Sequence, residues 1–298
     1  MTVTILSETA VTGLPSASGV EIIGDTAYVI GDDSARLHLL DAATLAPTGQ
    51  VRLLDAASTA SARLPKYDKP DLEGLAAVTW PDGRAGLLLL GSGSLPNRAR
   101  GWFVPTAEDH LPEALDLAPL YARLRPYLPA GAVLNLEAAA TSATELLLFQ
   151  RTVGRADAAI VFRLPLAATL AFLQSGTAAE APAVRPLLVQ LPSLAGCPAG
   201  FSGATFADDL LFVTASVEDT ADAVLDGTVL GSFVGLVDLA AQAATFGLLA
   251  WADGRAYRGK VEGLAVRRAL GPGRWELLLV TDDDAGGSTA VTAELALD

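Results

Sequence analysis

Lys260-Val261-Glu262-Gly263-Leu264-Ala265-Val266 opens the stretch that decides the fold. A turn at Leu270-Gly271-Pro272-Gly273 follows, then Arg274-Trp275-Glu276-Leu277-Leu278-Leu279-Val280, the acidic segment 281–287 and the run Ser288–Leu297. Three short apolar runs separated by turn chemistry read as three antiparallel strands. The opening motif recurs as Leu72-Glu73-Gly74-Leu75-Ala76 and Leu136-Glu137-Ala138-Ala139-Ala140, and more loosely as Val20-Glu21-Ile22-Ile23 and Phe201-Ser202-Gly203-Ala204-Thr205. A second apolar run follows each copy, at 26–31, 85–91, 145–150, 209–214 and 276–281. Glu21 to Glu73 is 52 residues, and the next steps, to Glu137, Ser202 and Glu262, are 64, 65 and 60. Short strands repeating at that period predict an all-β chain, a five-bladed β-propeller with large loops.

Working outward, a single domain over 1–298 is expected, with repeats beginning near 18, 71, 135, 200 and 260. The last repeat has only three strands, and Thr2–Val11 is a strand with no repeat of its own. It should therefore close the ring as a fourth strand beside Ser288–Leu297, which leaves no open sheet edge. Two stretches depart from the strand pattern. Residues 116–128 read as helix or strand, with Leu117, Leu120, Leu124 and Leu128 on one helical face, and 166–174 reads as one or two helical turns. Although 51% of the residues are hydrophobic, no apolar run approaches the ~18 residues a membrane helix needs. The start, MTVTILSETA, has no basic region and no sustained apolar core of a secretory signal. A lone cysteine, Cys197, fits a reducing compartment, so a cytoplasmic monomer is expected. The formal charge of −14 argues against nucleic acid or an anionic membrane as partner, since both need a basic footprint.

In a propeller the segments leading into each inner strand and out of each second strand converge on one mouth of the central channel. The lead-in positions are Glu21, Glu73, Glu137, Ser202 and Glu262. The exits begin at Asp32-Asp33-Ser34, Ser92-Gly93-Ser94, Arg151-Thr152, Ser216 and Asp282-Asp283-Asp284. Four carboxylates near one axis repel one another unless a cation answers them. With no Cys or His among them, the donors are all oxygen, which suits Ca²⁺, ahead of Mg²⁺, rather than zinc or copper. Glu21, Glu73, Glu137 and Glu262 are thus candidate metal ligands, or else they accept backbone N–H groups of neighbouring blades and cement the ring. The loop 91–101, with Ser92, Ser94, Arg98 and Arg100, and Arg151 on the next blade, reads either as a clamp for a small anionic molecule or as a plain connection. Asp282-Asp283-Asp284-Ala285-Gly286 has a partial calcium-loop spacing, which a hairpin turn explains as well. Asp32 or Asp282 is the candidate general base of a metal-assisted hydrolysis. The segment around 216–231 suits a rim contact. A Ser-His-acid triad would need His38 or His110, neither placed at the mouth, and the four tryptophans do not gather there as a sugar platform would.

The repeated D/N-L-E-G/A motif, the GSGS-to-Arg loop and the acidic TDDD end resemble bacterial propellers of the phytase-like and esterase-like group. Members of the wider set, and gluconolactonase-like propellers beyond it, hold Ca²⁺ in the channel with glutamates at strand starts. The resemblance implies Glu21, Glu73, Glu137 and Glu262 as ligands, with Ser202 of the fourth repeat as the departure. Two functions follow as expectations: a divalent-metal hydrolase of phosphate esters or lactones, or a non-catalytic propeller that binds a ligand or a protein.

Overall fold

Apolar runs of six to twelve residues cut by Gly, Asp and Pro turns give strands, and their pairing follows the repeat. The computed structural model describes residues 1–54, 63–107, 110–151, 159–176, 180–219, 227–283 and 286–297. Strand β1 (Thr2–Ala10) precedes a four-stranded antiparallel sheet of β2 (Ala17–Ile23), β3 (Thr26–Gly31), β4 (Arg36–Asp41) and β5 (Pro47–Arg52). The second sheet has β6 (Leu72–Thr79), β7 (Ala85–Gly91), β8 (Arg100–Pro105) and β9 (Glu113–Asp116), followed by helix α1 (Ala118–Leu124). The third has β10 (Leu136–Thr141), β11 (Glu145–Gln150), β12 (Ile160–Pro165), helix α2 (Leu166–Ser175) and β13 (Arg185–Leu188). A small hairpin, β14 (Ser193–Leu194) and β15 (Cys197–Pro198), leads into β16 (Gly200–Ala207), β17 (Leu210–Asp219), β18 (Thr228–Asp238) and β19 (Ala243–Ala250). The last strands are β20 (Lys260–Gly271), β21 (Arg274–Asp282) and β22 (Ser288–Ala296).

Strand β1 lies antiparallel to β22, from Thr2 opposite Ala296 to Ala10 opposite Thr289. It also touches β19 in a parallel ladder at Val3 and Thr4, which joins the last two blades into one continuous sheet. The inner strands β2, β6, β10, β16 and β20 pack side by side in a closed ring. Small residues permit that crowding. A Cβ on Gly263 would lie 2.7 Å from the Gly19 Cα, and one on Gly203 would lie 3.0 Å from the Gly263 Cα. The pinched axis leaves a cavity of about 10 Å³, lined by Ser18, Glu73 and Glu262 among others. That volume holds about one water molecule or one ion and no organic substrate.

The core lies between successive sheets. Trp80 stacks on Phe103 with ring centroids 4.4 Å apart, and Trp275 meets Phe212 edge-on at 5.3 Å between the last two blades. Residues 116–128 are mixed: strand residues end at Asp116, α1 buries Leu120, Tyr121 and Leu124, and a 3-10 turn (Arg125–Tyr127) closes the segment. Leu117 is buried as well, and Leu128 packs partly buried against the same cluster. In the expected rim segment at 216–231 the described residues are mostly strand, since β17 runs to Asp219 and β18 starts at Thr228; residues 220–226 lie outside the described residues.

Candidate functional site

One local device repeats around the channel mouth. At the start of every inner strand the ladder slips by one residue, and the extra residue faces the axis as a β-bulge. The bulged residues are Ser18, Glu73, Glu137, Ser202 and Glu262. Glu21 is therefore not the first-blade member of the set. It sits three residues further down β2, opposite Tyr28, against the backbone of Ile22. Burial pushes its carboxyl up to about 7, against the pull of backbone N–H groups at Ile22 and Ala77. Ser18-Gly19-Val20 carried the correct signal, as the small-residue counterpart of Glu73-Gly74-Leu75 and Glu262-Gly263-Leu264.

The residue two before each bulge shares its face, because strand side chains alternate. These residues are Ser16, Asp71, Asn135, Gly200 and Lys260, while the apolar residue between each pair is buried. The bulged serine of blade one staples blades: the Ser18 hydroxyl donates to the Leu72 carbonyl at 2.5 Å. In the fourth blade Ser202 joins a chain of hydroxyls through Ser216 to Ser232, and Ser216 donates to the Val261 carbonyl at 2.8 Å.

Arg151, buried at the exit of β11, is the hub of the charged side. Its guanidinium reaches Glu218 at 2.6 Å, Glu137 at 3.1 Å and Glu262 at 3.5 Å, so one side chain ties together three blades. Gly200 is glycine for this reason, since a Cβ there would lie 2.7 Å from the Arg151 Cγ. Lys260 adds contacts to Glu218 and Glu262 at 3.5 and 3.2 Å. Burial drives the Glu137 carboxyl up to about 7, although Arg151 pulls it down. Burial works against Glu218 too, but Arg151 and Lys260 hold it below the usual carboxylate range. Glu137 and Glu262 bridge blades through ion pairs, whereas Glu21 accepts backbone N–H groups, that of Ile22 and, on the neighbouring blade, that of Ala77.

On the opposite side Asp32, Asp71 and Glu73 each place one carboxylate oxygen within 4.8 Å of the others. Lys69 contacts both Asp32 and, at 2.9 Å, Asp71. Arg98 holds the other Asp71 oxygen at 2.7 Å and donates to the Ser94 hydroxyl at 2.9 Å, while Ser92 donates to Asp71 at 2.5 Å. Asp71 adopts the left-handed region with φ of 55°, a local strain that the surrounding contacts hold in place. Glu73 has no cation partner among the described residues. Burial first, then Glu137, Asp71, Asp32 and Glu262, raise its carboxyl well above the usual range. Asp32 is also raised, by burial and then by Asp33 and Asp71, against the pull of Lys69. Its Oδ1 is buried without a hydrogen bond, as is Glu262 Oε2. Among the described residues, the carboxylates Asp32, Asp33, Asp71, Glu73, Glu137, Glu218 and Glu262 face Arg63, Lys69, Arg98, Arg151 and Lys260, an excess of two negative charges when all are ionised.

The arginines expected to clamp an anion are thus already engaged. Arg98 and Arg151 sit in ion pairs, and Arg100 donates through Nε to the Asn97 carbonyl at 2.8 Å, bracing the loop it leaves. Asp282 ends β21 opposite Lys260 and Ser288. The calcium-like spacing after it includes residues 284–285, which lie outside the described residues. Lys69, Asp71, Glu218 and Lys260 went unnoticed as site residues; Asp71 and Lys260 were legible as the polar position two before the motif glutamate.

His38 does meet a serine: its Nε2 lies 3.0 Å from the Ser34 hydroxyl, and both are buried. The pair is built for structure. Arg36 donates to Gln50 Oε1, which turns the Gln50 amide nitrogen toward His38 Nδ1 at 3.4 Å. Nδ1 is then the acceptor and Nε2 carries the proton, so the ring donates to the serine instead of taking its proton. Burial and Arg36 lower the ring's pKa to about 4, keeping it neutral.

The sequence matches the profile of a family described as "Family of unknown function (DUF6929)" over residues 13–295. The chain belongs to this family. Neither a phytase nor an esterase name attaches to it, so the resemblance read from the motifs stands only at the level of the propeller. No curated protein matches the sequence significantly. Among solved structures, glutaminyl cyclase from Myxococcus xanthus is similar with a TM-score of 0.53 and 13% identity, covering 100% of this chain and 98% of that one. The tail fibre of Staphylococcus aureus phage P68 is similar at 0.50 and 12%, covering 98% of this chain and 53% of that one. At such identities the likeness is one of fold. No helix among the described residues is long and apolar enough to cross a membrane.

Proposed function

We propose that this DUF6929 protein is a binding propeller whose channel mouth holds a divalent cation, Ca²⁺ ahead of Mg²⁺, on Glu73, Asp32 and Asp71. The observation that carries the reading is the convergence of three carboxylate oxygens within 4.8 Å, one of them from Glu73, which has no cation partner among the described residues. The donor set fits a hard ion: all oxygen, no sulfur or imidazole. The unpartnered Oδ1 of Asp32 and the excess negative charge fit as well. A bound ion would supply positive charge at the mouth, the place where a small anionic ligand could then be held. Calcium should stabilise the fold by mass action, about 2.7 kcal/mol at a hundred times Kd, and chelator should reverse this. Glu73→Gln should abolish the effect. Identical melting in calcium and in chelator would overturn the reading.

A second reading, metal-dependent hydrolysis of phosphate esters or lactones, draws on Asp32, a carboxylate that converges with Asp71 and Glu73 and could take a proton from an attacking water. It has less support, because Arg98 and Arg151 are bound to carboxylates instead of facing a substrate. A panel of phosphomonoesters, phosphodiesters and lactones with Ca²⁺, Mg²⁺ and Mn²⁺ separates the two, with Asp32→Asn as the control.

A further inference from the structure

Resting on the cation reading of the mouth, we infer that Lys69 is a tethered counter-ion that competes with the divalent ion for the oxygens of Asp32 and Asp71. Its ammonium contacts two of the three carboxylates that converge there. The third, Glu73, receives nothing from it. An ammonium on a four-carbon stem is a compact charge that can swing away, which the planar fork of an arginine pinned between partners cannot do. Arg98 is pinned in that way, shared between Asp71 and Ser94. Lys69 also lies close enough to solvent to leave, with its side chain 14% exposed.

A second observation points to a ligand at the same place. Glu262 is buried and lines the axial cavity beside Glu73; Lys260 holds its Oε1 at 3.2 Å, while its Oε2 makes no hydrogen bond and lies 3.5 Å from Arg151. An unsatisfied carboxylate oxygen aimed at an ion-sized cavity is costly unless a cation serves it. Lys69 serves the outer carboxylates and leaves Glu73 unserved. A divalent ion seated between Glu73, Asp32 and Asp71 would answer both, and Lys69 would then be a like charge at close range. The lysine thereby sets how tightly the site binds: it keeps the outer carboxylates together and must be displaced before the ion can use them.

The test is calcium titration by calorimetry, at fixed ionic strength, of the full chain and of Lys69→Gln and Lys69→Arg. Lys69→Gln should bind Ca²⁺ at least about tenfold tighter, the low end of what removing one like charge beside a divalent ion gives. Lys69→Arg should bind no tighter than the unsubstituted protein, since the charge is kept and a fork held by two carboxylates is harder to displace. Binding by the unsubstituted protein with no gain in Lys69→Gln overturns the inference and leaves the cation site standing. Absence of binding in all three overturns the cation reading and the inference with it. Should Lys69→Gln fail to fold, the ¹⁵N resonances of the lysine ammonium groups decide, because the chain has only Lys66, Lys69 and Lys260. Saturating calcium should move the Lys69 signal toward that of a solvent-exposed lysine while Lys66 stays put. Calcium binding with an unchanged Lys69 signal refutes the competition.

Discussion

Arg151→Met removes the guanidinium that joins three blades while keeping much of the stem's volume. It leaves Glu137, Glu218 and Glu262, each no more than 8% exposed, with Lys260 as their remaining cation. Removing one partner of a buried ion pair costs about 3–5 kcal/mol, because the orphaned charge stays buried. Unfolding entropy for the 298 residues is about 0.6 kcal/mol/K, so Tm should fall by about 5–8 °C. The sign of the pH dependence follows from the carboxylates. Losing Arg151 raises the folded-state pKa of Glu137 and Glu218, and a raised carboxylate adds stability that is present below its unfolded pKa and lost as pH rises through the folded one. The gap between variant and unsubstituted protein should therefore widen from about pH 5 to about pH 8. Glu218→Gln added to Arg151→Met should recover part of the loss. Thermal and denaturant unfolding across that range measures it. A Tm unchanged at pH 8, or a gap indifferent to pH, refutes the hub.

Glu21→Gln should stabilise the protein at high pH. The Glu21 carboxyl sits at about 7 against an ordinary 4.5, so its contribution is intact below about 4.5 and lost as pH rises through about 7. The gain should reach the order of 3 kcal/mol at pH 8 and vanish toward pH 4.5, read by denaturant unfolding; an equal effect at both ends speaks against it. Gly263→Ala should push β20 off β2, where its Cβ would meet the Gly19 Cα at 2.7 Å. The cost should be about 1–3 kcal/mol, and melting indistinguishable from the parent's would mean the ring has slack at its axis.

Strand runs, their period and the closing role of Thr2–Val11 were readable because each rests on local patterning that tertiary contacts do not override. The bulge was not readable. It recurs at the same place in every inner strand, so what hid Ser18 was the residue type sought: Glu21 supplied the expected carboxylate, while Ser18-Gly19-Val20 keeps only the glycine of Glu73-Gly74-Leu75. The ion pairs were hidden for another reason. Arg151 reaches across to Glu218 and Glu262, 67 and 111 residues further along the chain, and a repeat that marks single positions carries no signal for such a reach. Lys69 was invisible for the same cause, lying before the motif. Arg98 and Arg100 are engaged within their own blade, by Asp71, Ser94 and the Asn97 carbonyl, contacts that a scan for charged loops does not weigh.

The pairing of Thr2 with Ala296 also sets a timetable for the chain as it is made. At about 5–20 residues per second, β1 leaves the ribosome roughly 15–60 s before its partner exists. For that interval it is a strand without a sheet, the kind of segment that recruits other chains. Its composition suits the wait. Val3 and Ile5 are the residues it will bury, while Ser7, Glu8 and Thr9 stay exposed and polar even in the finished ring. Strand β1 is thus fastened by a strand made long after it, and a charge in its midst keeps it from being fastened to the wrong molecule.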